Sequence, residues 1–353
     1  MARSRRPFPR VLLSLAIVAL ALAGCVRSAG PAAPTNAARE AAASPAVEVS
    51  PTATRATTAA LSAAATLRLA ATSGEEAFAR VLADVFAARI AGLKVELVKS
   101  DGQLNNLRLL GSGRAEFALV RDDLAVLAAA KEPPFADAAI TVASLAALHA
   151  EVVQMFANAD GNVASSRDLV GRKVNLPPDQ SAEALLTDAV LREGAFRARD
   201  FASIARLSGE QAAEALREGR VDALITAGPA PIPAVQRAAE QRPVRLLPLT
   251  AQWQEAVQKK YPALRPVVLP GGLYRGQDAP VETVGVRVIL AAVRDLPEET
   301  AYALALALVE GIDDIRARHP LGSQIVLEEI ARSVRTPFHA AAVQYYRERG
   351  LAK

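Results

Sequence analysis

The sequence predicts an α/β protein of two lobes, each an open, mainly parallel sheet with flanking helices. Three observations carry this. Short β-type runs alternate with amphipathic helical stretches from Thr66 to the end of the 353-residue chain. The alternation comes in two sets. The stretch that holds them is also longer than a single hydrophobic core usually serves.

In the first set, Thr66-Leu67-Arg68-Leu69 reads as a strand and Ala77–Ile90 as a helix, followed by a strand at Leu93–Val98. A helix over Leu104–Leu110 and an apolar run at Phe117–Val120 complete it. The second set has a strand at Lys173–Leu176, helices at Ala182–Arg192 and Gly209–Glu218, and a strand at Ala223–Thr226. Strands separated by helices of this length define βαβ units and a parallel sheet. Ala150–Ala157 and Val284–Val293 are strand-like and bracket the second set. If both cross between lobes, residues 66–150 and 285–353 form lobe one and residues 151–284 form lobe two. Two crossing strands make a hinge, and the cleft between the lobes is the expected ligand site.

The segment before these sets has a different character. Arg3, Arg5, Arg6 and Arg10 form a basic lead, followed by the apolar run Val11–Ala21 and then Leu22-Ala23-Gly24-Cys25. This is the pattern of a secretory signal peptide over residues 1–24, and its apolar run is too short to span a bilayer. Cys25 is the sole cysteine and so has no disulfide partner in the chain. Its setting resembles the lipobox of bacterial lipoproteins, in which that cysteine is acylated and becomes the new N-terminus. The resemblance implies an extracytoplasmic, membrane-anchored lipoprotein, in the periplasm or on the outer face of the cell membrane. More than one acyl chain gives stable anchoring where one does not. Residues 26–65 are almost all Ala, Pro, Thr, Ser and Val, with five charges and no aromatic, and with Cys25 they read as a lipidated, flexible linker.

Charge excludes one class of partner. The chain has 41 basic and 37 acidic residues, and losing the four arginines of residues 1–24 leaves 37 of each. A neutral chain without a basic stripe points away from nucleic acid. Catalysis has little support either. No H-E-x-x-H, C-x-x-C, G-x-S-x-G or phosphate-loop pattern occurs, and His149, His319 and His339 show no metal-ligand spacing. His319 and His339 sit beside prolines and read as helix caps or packing residues. No catalytic residue, metal or cofactor is expected.

Four motifs, in order, resemble one family. Asn106-Leu-Arg-Leu-Leu-Gly-Ser-Gly-Arg-Ala-Glu-Phe-Ala-Leu-Val120 is similar to the N-L-R-L-L-A-S-G-E-A-D-L-A-L-V of the TAXI-family solute receptors of TRAP transporters. Tyr261-Pro262 and Leu269-Pro-Gly-Gly-Leu-Tyr-Arg-Gly-Gln277 resemble its Y-P and I-P-A-G-x-Y-P-G-Q. Val284–Leu290 resembles V-G-V-x-A-V-L, and Thr336–Gly350 resembles P-L-H-P-G-A-x-x-Y-Y-K-E-x-G. The resemblance implies a type II periplasmic-binding-protein-like fold that closes on a small-molecule solute and presents it to a membrane permease. A signalling lipoprotein of the same fold, partnered with a membrane sensor subunit, is the alternative.

The departures fall in the expected ligand loops. The family's T-G-G-x-G-G-x-Y-Y is replaced by Thr72-Ser73-Gly74-Glu75-Glu76-Ala77-Phe78-Ala79, and its G-P-P-G-S-G-T by Leu176-Pro177-Pro178-Asp179-Gln180-Ser181-Ala182. Glycines let backbone N–H groups wrap an anion, and the glutamates remove that freedom and add charge. Asn106 and Gly102 keep the family's residue types, Arg121-Asp122-Asp123 replaces Q-S-D, and Ala227-Gly228-Pro229 resembles A-G-x-P. Carried over position by position, the ligand-binding residues are Ser73, Gly74, Glu75, Glu76, Phe78, Asn106, Arg121, Asp123, Asp179, Gln180, Ser181 and Gly228. Arg121 either restores positive charge to the site or pairs with Asp122 at the surface. Asp179 either adds acid to the cleft or caps the next helix. If the acids face the cleft, a carboxylate solute is disfavoured by several kcal/mol and a cationic or neutral one, or none, is preferred. If Glu75 and Glu76 point to solvent from the first helical turn, they serve only the helix dipole.

Overall fold

The computed structural model describes residues 59–137 and 139–352. The basic lead, Cys25 and most of the linker lie outside them. The strands are β1 (Ala59–Thr72), β2 (Ile90–Ser100), β3 (Phe117–Arg121), β4 (Val142–Asn158), β5 (Lys173–Asn175), β6 (Ser203–Ala205), β7 (Ala223–Gly228), β8 (Val244–Leu246), β9 (Arg265–Leu269) and β10 (Val281–Val293). The helices are α1 (Glu76–Arg89), α2 (Gln103–Gly111), α3 (Asp122–Ala129), α4 (Ala182–Glu193), α5 (Gly209–Arg217), α6 (Pro233–Gln241), α7 (Ala251–Lys260), α8 (Glu298–Glu310), α9 (Ile312–Arg318) and α10 (Ala340–Glu348).

The strands form one ten-stranded sheet in the order β2-β1-β3-β10-β4-β7-β5-β6, with β8 on β4 and β9 on β10. Each end repeats one pattern. β1 runs parallel to β2 and β3, and β10 closes that group antiparallel. β5 runs parallel to β6 and β7, and β4 closes that group antiparallel. The sheet therefore serves two lobes, joined through the long antiparallel pair β4 and β10.

Period-two alternation gives each lobe three layers. In β3, Phe117 and Leu119 face one core, packed with Phe78, Leu82 and Phe86 of α1, Leu304 and Leu308 of α8, and Tyr346 of α10. Ala118 and Val120 face the other, with Leu107, Leu110 and Leu124 of α2 and α3. In the second lobe Ala223 and Ile225 pack towards α4 and α7, and Leu224 packs towards α5 and α6. β10 contributes to both lobes: Val288 and Leu290 lie in the first core, while Val284 and Val286 lie in the second.

Two sequence expectations differ in extent. β1 begins at Ala59, inside the stretch whose composition reads as linker, because Ala59, Ala60 and Ala65 pair with Ile90, Ala91 and Leu93 of β2. Backbone hydrogen bonds to a neighbouring strand are invisible to composition. β4 starts eight residues before the strand-like run at Ala150, since Val142–Leu148 is buried on both faces and lacks alternation.

Candidate functional site

A cleft of about 1010 Å³ opens between the lobes. It is lined by the turns that follow β1, β2, β5, β6 and β7, including Thr72–Glu75, Asp101–Asn105, Gln180–Glu183, Leu207–Gly209 and Gly228–Pro229. Ligand sites in open α/β sheets lie at such carboxyl ends of strands.

The floor is a chain of buried polar groups. Glu75 ends the turn before α1, and its carboxylate folds back to accept from the Thr72 hydroxyl at 2.9 Å. Gln103 opens α2 and donates Nε2 to Glu75 Oε1 at 2.9 Å and to Glu151 Oε1 at 2.8 Å. Its own Oε1 accepts from the Arg121 backbone N–H at 2.9 Å. Arg121 is completely buried at the end of β3. It grips Asp123 with two bonds, Nε to Oδ1 at 3.0 Å and Nη2 to Oδ2 at 2.8 Å. Its Nη1 lies 3.8 Å from Glu151 and donates to the Ala182 carbonyl of the second lobe at 2.7 Å. One guanidinium thus ties the lobes together.

His149 and Glu151 sit two residues apart on β4, so both face the same side. Both line the cleft, and His149 packs edge-on against Phe78 with ring centroids 5.6 Å apart. Burial raises the carboxyls of Glu75 and Glu151 well above the usual carboxylate range. The Thr72 and Gln103 hydrogen bonds work against this at Glu75, as does the Arg121 charge at Glu151. Burial, with His319 and Arg287 nearby, pulls His149 down to about 3 and keeps the ring neutral. Burial alone would lower Arg121, but Asp123 and Glu151 outweigh it and hold the guanidinium charged.

The residues named from sequence fall into three groups. Ser73, Gly74, Glu75, Gln180, Ser181 and Gly228 line the cleft. Arg121 and Asp123 lie beneath its floor as a closed ion pair. Arg121 pairs with Asp123 rather than with Asp122, which accepts from the backbone N–H groups of Arg335 at 2.6 Å and Thr336 at 2.8 Å. Glu76, Phe78, Asn106 and Asp179 are not among the lining residues. Glu76 turns to Arg80 at 3.2 Å on the exposed face of α1. Phe78 belongs to the first core. Asn106 accepts from Ser100 and donates to the Leu119 carbonyl at 2.8 Å, fixing α2 to β3. Asp179 is exposed and pairs with Arg206 at 3.0 Å. The cap of α4 is Ser181, whose hydroxyl accepts from the Ala184 N–H at 3.0 Å. His319 and His339 cap as their settings predict, accepting from Leu321 and Ala341.

Gln103, His149, Glu151 and Glu183 line the cleft without having been singled out. For His149 and Glu151 a signal existed: two ionisable residues at strand period within an otherwise apolar run. Gln103 had none, since a glutamine beginning a helix is ordinary.

Fold and cleft together define a two-lobed α/β protein whose lobes are joined through β4 and β10. The chain belongs to the NMT1-like family, whose model matches residues 70–350. Among solved structures it is similar to the periplasmic sulfonate-binding protein SsuA of Methylobacillus flagellatus KT, at 15% identity over 82% of this chain and 88% of that one, TM-score 0.44. The aliphatic sulphonate binding protein SsuA of Escherichia coli matches at 17% identity, 82% and 94% coverage and TM-score 0.45. A TctC solute binding protein from Polaromonas matches at 14% identity, 72% and 86% coverage and TM-score 0.47.

Proposed function

We propose that this chain is an exported, lipid-anchored solute receptor whose lobes close on a small molecule and present it to a membrane transporter. One observation carries the reading: an interlobe cleft of about 1010 Å³, large enough for a small solute, lined by strand-end turns of both lobes. Lobe one comprises residues 66–150 and 285–353, lobe two residues 151–284, and the hinge runs through β4 and β10. The motifs shared with TAXI receptors support a TRAP-type permease as the partner. The signal-like lead and the setting of Cys25 support membrane anchoring, and no helix of the described residues is long and apolar enough to cross a membrane.

The floor supports a cationic or neutral solute over a free carboxylate. Arg121 is already committed to Asp123, and among the described residues Arg108 is the lining cation against four lining acids, Glu75, Asp101, Glu151 and Glu183. Mass spectrometry of small molecules released when the purified mature protein is denatured tests the reading. Recovery of a stoichiometric solute that raises the thermal midpoint on re-addition supports it. A protein that releases nothing and is stabilised by no member of a metabolite panel contradicts it.

A second reading, a signalling lipoprotein of the same fold, is favoured by the Arg121–Ala182 bond, with which the chain latches its own lobes. Co-purification with a membrane sensor rather than a permease would select it.

A further inference from the structure

The solute reading leaves one side chain of the floor, His149, unexplained. Glu75, His149 and Glu151 are all buried, and one ligand atom from each lies within 4.8 Å of the other two. Neither ring nitrogen of His149 has a hydrogen-bond partner among the described residues, although the ring is fully buried. Buried polar atoms are nearly always bonded, so this imidazole calls for a partner that the chain itself does not supply. It borders the cleft, where such a partner can arrive.

The donor set narrows what that partner is. Two carboxylates repel an anion and attract a cation. Imidazole beside carboxylates suits zinc-type ions, whereas magnesium and calcium favour all-oxygen shells. Zinc bonds of about 2.0–2.1 Å place tetrahedral donors roughly 3.3 Å apart. The three ligand atoms, within 4.8 Å of one another, would have to draw in to reach that spacing. Gln103 already orients both carboxylates through one amide nitrogen, as outer-shell partners of metal ligands do. The Arg121 charge beside Glu151 is offset by its two bonds to Asp123.

We propose that Glu75, His149 and Glu151 form a three-ligand site for a zinc-type divalent ion on the cleft floor, its remaining coordination position open to the cavity. The ion neutralises the facing carboxylates and gives His149 its partner. Its open position accepts a donor atom from whatever enters the cleft. The site stands whether or not the protein serves a transporter.

The test uses the purified mature protein, stripped with chelator and titrated calorimetrically with zinc chloride and separately with magnesium and calcium chlorides. One zinc ion per chain is expected, with no uptake of the other two. His149→Ala and Glu151→Gln abolish it, and Gln103→Ala weakens it by about 10- to 100-fold. Cobalt(II) added to the stripped wild type gives intense visible bands from a low-coordinate nitrogen–oxygen shell, a readout that needs no variant to fold. A wild type that takes up no zinc, a His149→Ala protein that binds like wild type, or a cobalt spectrum matching the aquo ion overturns the proposal.

Discussion

Glu75 and Glu76 are neighbours in sequence with opposite fates. α1 begins between them, so Glu76 takes a helical first-turn position facing Arg80, while Glu75 folds back over the preceding turn into the cleft. The sequence supplied the acids but not their directions, because one residue of helix phase decides which side chain turns inward. Arg121 is likewise ambiguous in sequence and unambiguous in space. Its removal leaves Asp123 unpaired and Glu151 without its nearest cation, so Arg121→Met is expected to cost about 3–5 kcal/mol in urea unfolding. A loss under about 1 kcal/mol would mean that the network is solvated. The raised pair sets the pH response of the chelator-treated protein. Glu75 and Glu151 move from an ordinary 4.5 to about 7 and about 8, so the folded state holds protons that the unfolded state releases. Their stabilisation is complete below pH 4.5 and is lost as pH rises through these values. His149, lowered from 6.5, opposes them at acid pH, and the clean window therefore lies between 6.5 and about 8. Across it the thermal midpoint should fall as pH rises, and Glu151→Gln should flatten the slope. A midpoint that climbs with pH would refute the assignment.

Element by element, the alternating strands and helices of both lobes were legible, because period-two and period-3.6 patterns are local. What escaped was non-local. The first residues of β1 are held by β2, and the apolar half of β4 shows no alternation because both its faces are covered. The crossing of β4 and β10 is close-packed. At Gly285 an added Cβ would fall 2.7 Å from the Glu151 carbonyl oxygen and 2.6 Å from Val152. Gly285→Ala should destabilise by about 1–3 kcal/mol in chemical denaturation. It should also weaken cleft binding, since the displaced strand carries Glu151. A neutral result would show that the crossing has room to shift. The second-lobe turn offers a smaller test: Ser181→Ala removes the α4 cap and should cost about 1 kcal/mol, whereas Asp179→Ala, at an exposed pair, should cost less.

At the scale of the whole molecule, the two-lobed plan follows from where the sheet is interrupted. Each lobe builds three parallel strands and closes on a long antiparallel strand, and these two strands pair to join the lobes. Beside that junction His149 and Glu151 of β4 meet Glu75 of the first turn and Gln103 of α2. This is why the floor could not be read from any one segment. The motif resemblance pointed to the loops at Ser73–Glu75 and Gln180–Ser181, which line the cleft, but its motifs do not extend to His149 and Glu151 of β4. Cys25 belongs to this scale as well: Cys25→Ala should leave the protein unprocessed or release it from membranes, whereas continued membrane retention of a processed variant would contradict the anchor. The central claim is that the acid-floored cleft, free of any ion, selects the solute by charge. Calorimetric titration of chelator-treated mature protein with glutamate and with putrescine tests it most directly. The account predicts that putrescine binds at least about tenfold more tightly, a difference of about 1.4 kcal/mol. Micromolar binding of glutamate with none of putrescine would contradict it.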